Sequence, residues 1–578
     1  MSRVSFFLQV FFVIFLSIYL EGGQFQHFEE FKRLLHYGDK ESRVISKSFF
    51  LSENGFCDPL AELNTTIDLL NSQDGEEIAK NFPARYLWIK KQGFQVPSFD
   101  LENFLDLSDF VNSFQKDFIY LVFVSEHIDS PASSFGHLIL AFQDREKPLL
   151  SAETIHFAAE MEIRGENFFK YAFNGLTGNY HGYFFRMPLF MIKTAYTIGE
   201  QRDLFFYRLD LPSERIEMLI YHLYELRKAK YAYYFLSENC AYQIASILKI
   251  AYGEDSPHYQ YGFPILPMDV LNAYQEKVVE RFSIDATLKK AENLFDEMTP
   301  IEKKEYIDVI EGNREPCNEL SDHVKEILYI KNEYHFRRFG NPLVNYEKMR
   351  DLKFSPSKSA ISNLLPCTNN EKHIFSLGAY SDEISNGLCL RYFMIGRDRY
   401  LCQVDKMQES DLVFMDTKVK IVNDRTVSLH SLDILREKAL FNRSRLSSPL
   451  SWAINLGLNR QNSLYKPSWN FSLGIGLGRG SLKKKVGFST LFEVGLQSSS
   501  REGIAYISPS LELIYYPFDT VKLGFFTKKK YSVGGQYLYR EHCMYLTQDF
   551  KACSIISEFS GSNSLVKNSV RMIFRFKL

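Results

Sequence analysis

The sequence predicts an α+β domain followed by an antiparallel β-barrel of roughly twelve strands, and three observations carry that prediction. Apolar residues recur at helical spacing in the first half, as in the stripe Leu60, Leu63, Ile67 and Leu70. Among these helical stretches lie short, β-rich apolar runs such as Ile119-Tyr120-Leu121-Val122-Phe123-Val124, bounded by polar residues. From about residue 372 the texture changes to period-two alternation in segments of roughly ten residues, the pattern of an outer-membrane barrel.

The chain has 578 residues, enough for several domains. Its formal charge of −2 leaves no global basic field, so nucleic acid is not expected as a partner. Aromatics reach 15%, with 51 Phe and 34 Tyr, an excess that suits a membrane barrel with aromatic girdles or a large core. Eight cysteines occur, and none forms a CxxC or Cys/His cluster with zinc spacing, so the sequence calls for no metal and no other cofactor. Cys389 with Cys402, and Cys543 with Cys553, lie on consecutive strand-like segments where bridges are feasible in an exported protein.

Residues 1–23 read as a secretion signal. Arg3 is its basic end, Val4 to Leu20 is nearly all apolar, and Gly22-Gly23 offers a cut before Gln24. The competing reading is an uncleaved anchor, since the apolar run is long for a signal. Residues 24–110 form a helical layer, with Phe31, Leu34 and Leu35 as a further stripe.

Residues 111–260 carry the chemistry. Ser237-Glu238-Asn239-Cys240-Ala241-Tyr242-Gln243 precedes Ile244, Ile247, Leu248 and Ala251, the spacing of a buried helix face. Cys240 therefore starts a helix, where the macrodipole favours a thiolate, and Asn239 or Ser237 suits the N-cap. Upstream, Ser133-Ser134-Phe135-Gly136-His137 leads into Leu-Ile-Leu-Ala-Phe, a buried strand opened by His137. A helix-start Cys packed on a sheet whose strand opens with His is the papain-like arrangement: the His takes the thiol proton and the sulfur attacks an acyl carbon. Leu149 to Ala159 returns as the hairpin partner. The group that orients His137 comes from there (Glu153, Thr154 or His156) or from Ser133 in the preceding loop. His156 reads equally as a structural hydrogen bonder. Asn239 or local backbone N–H groups are candidates to hold the oxyanion. Residues 165 to 197 carry Phe168, Phe169, Tyr171, Phe173, Tyr180, Tyr183, Phe184, Phe185 and Phe190, a core or the lining of an acyl-chain channel.

Phe-Gly-His, the helix-start Asn-Cys and the segments between them resemble the Lnb-type lipoprotein N-acyltransferase family. The matching segments are Pro131-Ala132-Ser133, Ile155-His156-Phe157-Ala158-Ala159, Gly175-Leu176-Thr177-Gly178-Asn179-Tyr180 and Glu200-Gln201-Arg202-Asp203-Leu204. Asn81-Phe82-Pro83-Ala84-Arg85-Tyr86-Leu87-Trp88 is similar to its leader region, so the resemblance covers residues 30 to 260. It implies a circularly permuted papain-like fold in which His precedes Cys. It also implies acyl transfer from a phospholipid to the amino-terminal Cys of a lipoprotein, and it favours Ser133 beside His137 and Cys240.

Residues 261–371 are expected to be a helical connector and linker. Tyr306, Ile307 and Ile310, then Val324, Ile327 and Leu328, fall at helical spacing, and Pro342 to Pro366 reads as extended. Residues 372–578 form the barrel. Trp452, Ile454, Leu456 and Leu458 alternate with Ala453, Asn455, Gly457 and Asn459, and the chain ends Val570, Met572, Phe574, Phe576, Leu578 with Arg571, Arg575 and Lys577 between. A soluble β-sandwich also alternates. The resulting expectation is an outer-membrane enzyme with its catalytic domain facing the periplasm, outer-membrane lipid around its barrel, a phospholipid donor and a lipoprotein acceptor. The rivals are a periplasmic cysteine peptidase or amidase acting on peptidoglycan peptides and a non-enzymatic porin-like protein.

Overall fold

The structure is a computed structural model. It describes residues 28–127, 133–160, 168–258, 262–355, 371–382, 386–402, 408–422, 426–441, 446, 450–461, 468–483, 485–498, 503–535, 537–550, 553–562 and 568–576. The signal-like stretch, Pro131-Ala132, the end of the linker with Cys367, the side chains of Phe168 and Phe169, and Leu578 lie outside them. The chain divides into two compact units, the second formed mainly by residues 367–578.

The first unit opens with helices α1 (residues 28–34), α2 (Pro59–Leu70), α3 (Gly75–Asn81), α4 (Pro83–Lys91) and α5 (Leu105–Ser113). Asp58 caps α2 through Leu60 and Ala61 N–H, and proline occupies the first turn of α2 and α4, where its missing N–H is not needed. Next come β1 (Phe118–Val124), β2 (His137–Gln143), β3 (Glu153–Glu160), α6 (Phe168–Thr177), β4 (Tyr180–Pro188) and α7 (Leu189–Lys193). They are followed by β5 (Leu204–Leu209), α8 (Ser213–Leu226), β6 (Tyr231–Tyr233), α9 (Cys240–Tyr252), α10 (Pro267–Ala273) and β7 (Val278–Ile284). The seven strands form one antiparallel sheet in the order β6-β4-β3-β2-β1-β5-β7.

Alternation splits the central strands between two cores. Leu138, Leu140 and Phe142 of β2 join Ile244, Leu248 and the α8 residues Ile216, Leu219, Ile220 and Leu223 on one face. Ile139 and Ala141 join Val122, Leu189, Ile192 and Phe206 on the other. Each wholly buried Ile or Leu contributes about 2 kcal/mol of transfer free energy. The helical layer is tied by a buried ion cluster. Arg85 of α4 donates to Glu62 of α2 at 2.7 Å and lies 3.4 Å from Glu225 of α8, with both its side chain and theirs fully excluded from solvent. Its Nη2 also donates to the Phe49 carbonyl at 2.8 Å. The Pro83-Ala84-Arg85 stretch is thus a packing device.

Residues 261–371 differ from the expected connector in two places. Val278–Ile284 is an edge strand of the sheet, paired with β5 from Leu204↔Ile284 to Leu209↔Val278. It reads Val-Val-Glu-Arg before any alternation and follows a proline-bearing stretch, so it carries no clear strand signal in sequence. The expected extended linker contains a short helix, Tyr346–Met349, capped by Asn345 through the Glu347 N–H. Between them, α11 (Thr287–Glu297), α12 (Pro300–Ile310) and α13 (Asp322–Phe339) pack together through Ala291, Leu294, Tyr306, Val309, Val324, Ile327 and Leu328.

The second unit is a closed antiparallel barrel of twelve strands, β8 (Glu371–Asp382) to β19 (Asn568–Phe576), closed by β19 pairing with β8. Leu388 and Leu390, Leu513 and Tyr515, Met544 and Leu546, and Val570, Met572, Phe574 and Phe576 are exposed on its outer face. Their neighbours Arg391, Glu512, Thr547 and Arg575 are buried inside. Apolar outside and polar inside is the reverse of a water-soluble barrel and suits lipid. Among the described residues no helix is long and apolar enough to cross a membrane.

After β9 (Asn386–Arg397), residues 398–402 fold into the lumen. Arg391 and Arg575 donate to Asp398 at 2.5 and 3.0 Å. Lys522 of β16 (Val521–Ser532) donates to the carbonyls of Arg399 and Leu401. Tyr400 donates to Glu558 at 2.7 Å, and the Cys402 N–H to Asp549 at 2.9 Å. Beside this turn, Arg436 pairs with Asp411, Asp416 and Asp433. The seven cysteines among the described residues are free thiols, so Cys389 with Cys402 and Cys543 with Cys553 are unbridged.

Candidate active site

The turn between β6 and α9 is fixed at Phe235. Its N–H donates to the Gly175 carbonyl at 2.8 Å, and a Cβ on Gly175 would lie 2.2 Å from its ring. Asn239, in extended conformation, then caps α9: its Oδ1 accepts the N–H groups of Ala241 and Tyr242 at 3.0 and 3.2 Å. Its Nδ2 donates to the carbonyls of Phe235 and Ile265 at 3.1 and 2.8 Å. Both amide protons are engaged, so Asn239 positions the helix start and has none to spare for an oxyanion, the role expected of it from sequence.

Cys240 follows, 6% exposed. The β2–β3 ladder runs from Phe142↔Glu153 to Ile139↔His156 and then opens. At that opening the Cys240 sulfur lies close to the backbone N–H groups of Leu138 and Ala241, which favour its charged form. His137 opens β2 opposite Val124. Gly136 before it has φ +87°, and a Cβ there would lie 2.6 Å from the Phe123 ring, so glycine is required for the approach. His137 and Ile139 share a face of the sheet, and Ile139 is opposite His156, which makes the two histidines diagonal neighbours. Their rings meet edge to face with centroids 6.1 Å apart. His156 stacks on Phe185 at 5.6 Å, and its Nδ1 is buried without a partner. Ser133 closes the preceding turn through its carbonyl, which accepts the N–H groups of His127 and Gly136.

Three further groups converge here that the sequence did not single out. Tyr233, at the end of β6, brings its hydroxyl close to Cys240. Tyr196 lies 6.3 Å from His137, ring to ring. Arg202, 2% exposed, sits over Tyr196 with its guanidinium 5.0 Å from that ring. The sequence signals for Arg202 are its place in the family-matching segment Glu200-Gln201-Arg202-Asp203-Leu204 and its charge at the threshold of the apolar strand Leu204–Leu209.

Burial dominates the electrostatics. It pushes the Cys240 thiol up to about 11, against the opposing pull of the Leu138 and Ala241 N–H groups and of Arg202. The thiolate expected from the helix N-terminus is therefore absent from the free site, because desolvation of a buried charge outweighs the end of one helix. Burial, His156 and Arg202 hold His137 well below its ordinary value, and burial takes His156 to about 4. Burial and Cys240 hold the Tyr233 hydroxyl protonated, as a donor. At neutral pH the site holds a neutral thiol and two neutral imidazoles beside a fixed cation. It suits attack in which the thiol loses its proton as the S–C bond forms.

The family model described as the Lnb N-terminal periplasmic domain matches residues 107–277, which contain all of these groups. Two further models, each described as a domain of unknown function, match residues 24–92 and 406–551. No curated protein matches the sequence. Among solved structures the barrel is similar to the KdgM porin, at 10% identity and TM-score 0.22, over 36% of this chain and 99% of that one. It is also similar to LpxR from Salmonella typhimurium, at 8% identity and TM-score 0.22, over 36% of this chain and 100% of that one. An outer membrane channel from Pseudomonas putida F1 is 11% identical with TM-score 0.25, over 39% of this chain and 99% of that one. At such identities nothing about activity follows. A closed barrel with an apolar outer face, in a chain whose residues 107–277 match a family model described as periplasmic, is an outer-membrane protein with its N-terminal unit in the periplasm.

Proposed function

We propose that this chain is a thiol-dependent acyltransferase with a circularly permuted papain-like domain, moving an acyl chain from a phospholipid to the amino terminus of a lipoprotein. The observation that carries the reading is the thiol of Cys240 at the open end of the β2–β3 ladder, where His137 and His156 also lie. In the first half-reaction the Cys240 sulfur attacks the ester carbonyl. His137 takes the thiol proton and delivers it to the glycerol oxygen as the C–O bond breaks, leaving a thioester and a lysophospholipid. Tyr233 and the Cys240 N–H are the donors best placed for the oxyanion. In the second, the lipoprotein amine attacks the thioester, the C–S bond breaks, and the amine proton returns to sulfur through His137. His156 positions the His137 ring by edge-to-face contact, in preference to Ser133, whose described contacts are through its backbone.

Exposed apolar side chains near the site support a lipid substrate. Phe185, stacked on His156, is 37% exposed, and Phe173, Leu176, Phe190 and Met191 are exposed on α6 and α7. In the barrel, the turn 398–402 bonded across the lumen supports an anchor rather than a channel. Purified protein in a planar bilayer is expected to show no porin-like conductance, and a large steady conductance would reject the anchor role.

The acceptor is tested directly. With phospholipid present, a diacylated lipopeptide bearing a free amino-terminal Cys should gain one chain as an amide, and acetylating that amine beforehand should stop the gain. Transfer unaffected by the block would reject N-acylation.

A further inference from the structure

Arg202 enters the site in a way that leaves part of its side chain unused. Gln201 before it has φ +56°, a left-handed conformation that a non-glycine residue holds only when its surroundings impose it. Those surroundings are explicit: the Gln201 side chain donates to the Ile198 carbonyl at 2.6 Å and accepts the Leu288 N–H at 2.8 Å. The strained residue turns Arg202 inward. Its Nε donates to the Ser125 carbonyl at 2.6 Å, one residue beyond the strand partner of His137. Its Nη1 donates to Glu200 at 2.8 Å, a carboxylate 40% exposed. Its Nη2 is buried and has no hydrogen-bond partner. A buried guanidinium nitrogen without a partner is costly, and the group is held rigidly on its other two nitrogens. Its charge acts on both Cys240 and His137.

We propose that Arg202 is the anion-recognition residue of the Cys240 site, its unengaged Nη2 taking a phosphodiester oxygen of a glycerophospholipid so that a neighbouring ester carbonyl reaches the thiol. The proposal rests on the acyl-transfer reading for the identity of the anion, but not for its existence. The donor chemistry fits: only two glycerol carbons separate the sn-2 ester oxygen from the phosphate oxygen, so one fixed cation sets the register of ester against sulfur. Glu200 offsets part of the charge while the site is empty, and its exposure leaves it free to turn away. Arg202 is a specificity-determining residue here, since no bond forms or breaks on it.

Two measurements on the full-length protein in detergent separate the anion site from the reaction. The first compares alkylation of Cys240 by iodoacetate and by iodoacetamide, followed on the Cys240 peptide by mass spectrometry. An anion site at the thiol makes the charged reagent the better one. The ratio of the two rates should fall about tenfold in Arg202→Gln, the scale of one charge-assisted hydrogen bond, and be largely kept in Arg202→Lys. A merely structural Arg202 would slow both reagents equally. Should Arg202→Gln fail to fold, Glu200→Gln supplies the answer, because freeing the cation should raise the ratio. A ratio unmoved by Arg202→Gln, or by Glu200→Gln in its place, overturns the proposal. The second measurement compares acylation of Cys240 by phosphatidylglycerol and by diacylglycerol, the same esters without phosphate. Preference for phosphatidylglycerol, lost in Arg202→Gln, is the expected result. If the alkylation ratio responds but neither lipid acylates the wild type, the phospholipid source is overturned along with the acyl-transfer reading, and an anion site for another substrate is left. If both lipids acylate it equally, acyl transfer survives and Arg202 as its phosphate reader does not.

Discussion

The first unit contains two histidine pairs whose rings are in contact. In the helical layer, His36 and His222 face each other with Nε2 to Nε2 at 3.0 Å and rings stacked at 5.2 Å. They are 3% and 0% exposed, and the Nδ1 of His222 lies 3.6 Å from Glu225, itself part of the Arg85 ion cluster. At the end of the sheet, His137 and His156 share no such bond; their rings meet edge to face, beside a thiol and a cation. One pair is joined Nε2 to Nε2 within the helical layer, although the Nδ1 of each ring is buried without a hydrogen-bond partner. The other is joined by no hydrogen bond, has the Nδ1 of His156 likewise unpartnered, and lies next to a nucleophile and to exposed aromatic surface. Burial alone does not separate structural from chemical histidine. What separates them is their surroundings: an ion cluster in one case, a thiol, a cation and exposed aromatic surface in the other.

Substitutions should break this comparison in different currencies, and the largest effect is expected at the thiol. Cys240→Ser should abolish acyl transfer in a correctly assembled protein, since a serine hydroxyl in the same site is far harder to deprotonate than a thiol. Turnover at the wild-type level would end the enzymatic reading. His137→Ala should lower the rate by roughly a hundredfold or more, the scale of general-base catalysis, while leaving the thermal unfolding midpoint nearly in place. A large loss of stability with little loss of rate would make His137 a structural residue like His36. His222→Ala should do the opposite. It removes the partner of His36 Nε2 and so adds a second unsatisfied buried nitrogen to that ring, at about 1–3 kcal/mol in denaturant unfolding, without altering the alkylation rate of Cys240 in folded molecules. A change in that rate would show that the two pairs are coupled. A further test lies in pH dependence. Because burial raises the Cys240 thiol to about 11, thiolate is scarce at neutral pH and increases as pH rises. Alkylation of Cys240 by iodoacetamide should therefore climb from pH 7 to pH 10 without levelling, whereas a plateau already present at pH 7 would reveal a preformed thiolate pair.

Much of the architecture was legible in the sequence because periodicity is a backbone property. The helix face at Ile244, Ile247, Leu248 and Ala251, the buried β2 run after His137 and the alternation ending at Phe576 each follow from how often a side chain turns to the core. The position of Cys240 at the first residue of α9 followed from Asn239 as a cap. What escaped was decided by tertiary contacts between distant segments. The edge strand at 278–284 depends on pairing with β5, more than sixty residues upstream by number, and reads in isolation as connector. The protonated state of Cys240 depends on burial, which no helix-terminus argument contains. Asn239 was recognised as a cap, but its two donated hydrogen bonds to Phe235 and Ile265 depend on a loop from elsewhere in the chain. Arg202 was visible only as one charge in the family-matching segment Glu200-Gln201-Arg202-Asp203-Leu204, because its inward turn depends on the left-handed backbone of Gln201.

The central claim is a covalent one, that Cys240 carries an acyl chain between donor and acceptor. Full-length protein incubated with a defined phospholipid and no acceptor should gain the mass of one acyl chain. Peptide mapping should place that mass on Cys240, neutral hydroxylamine should remove it, and Cys240→Ser should not acquire it. The account is contradicted if Cys240 stays unmodified with phospholipid while a muropeptide is cleaved in a Cys240-dependent way.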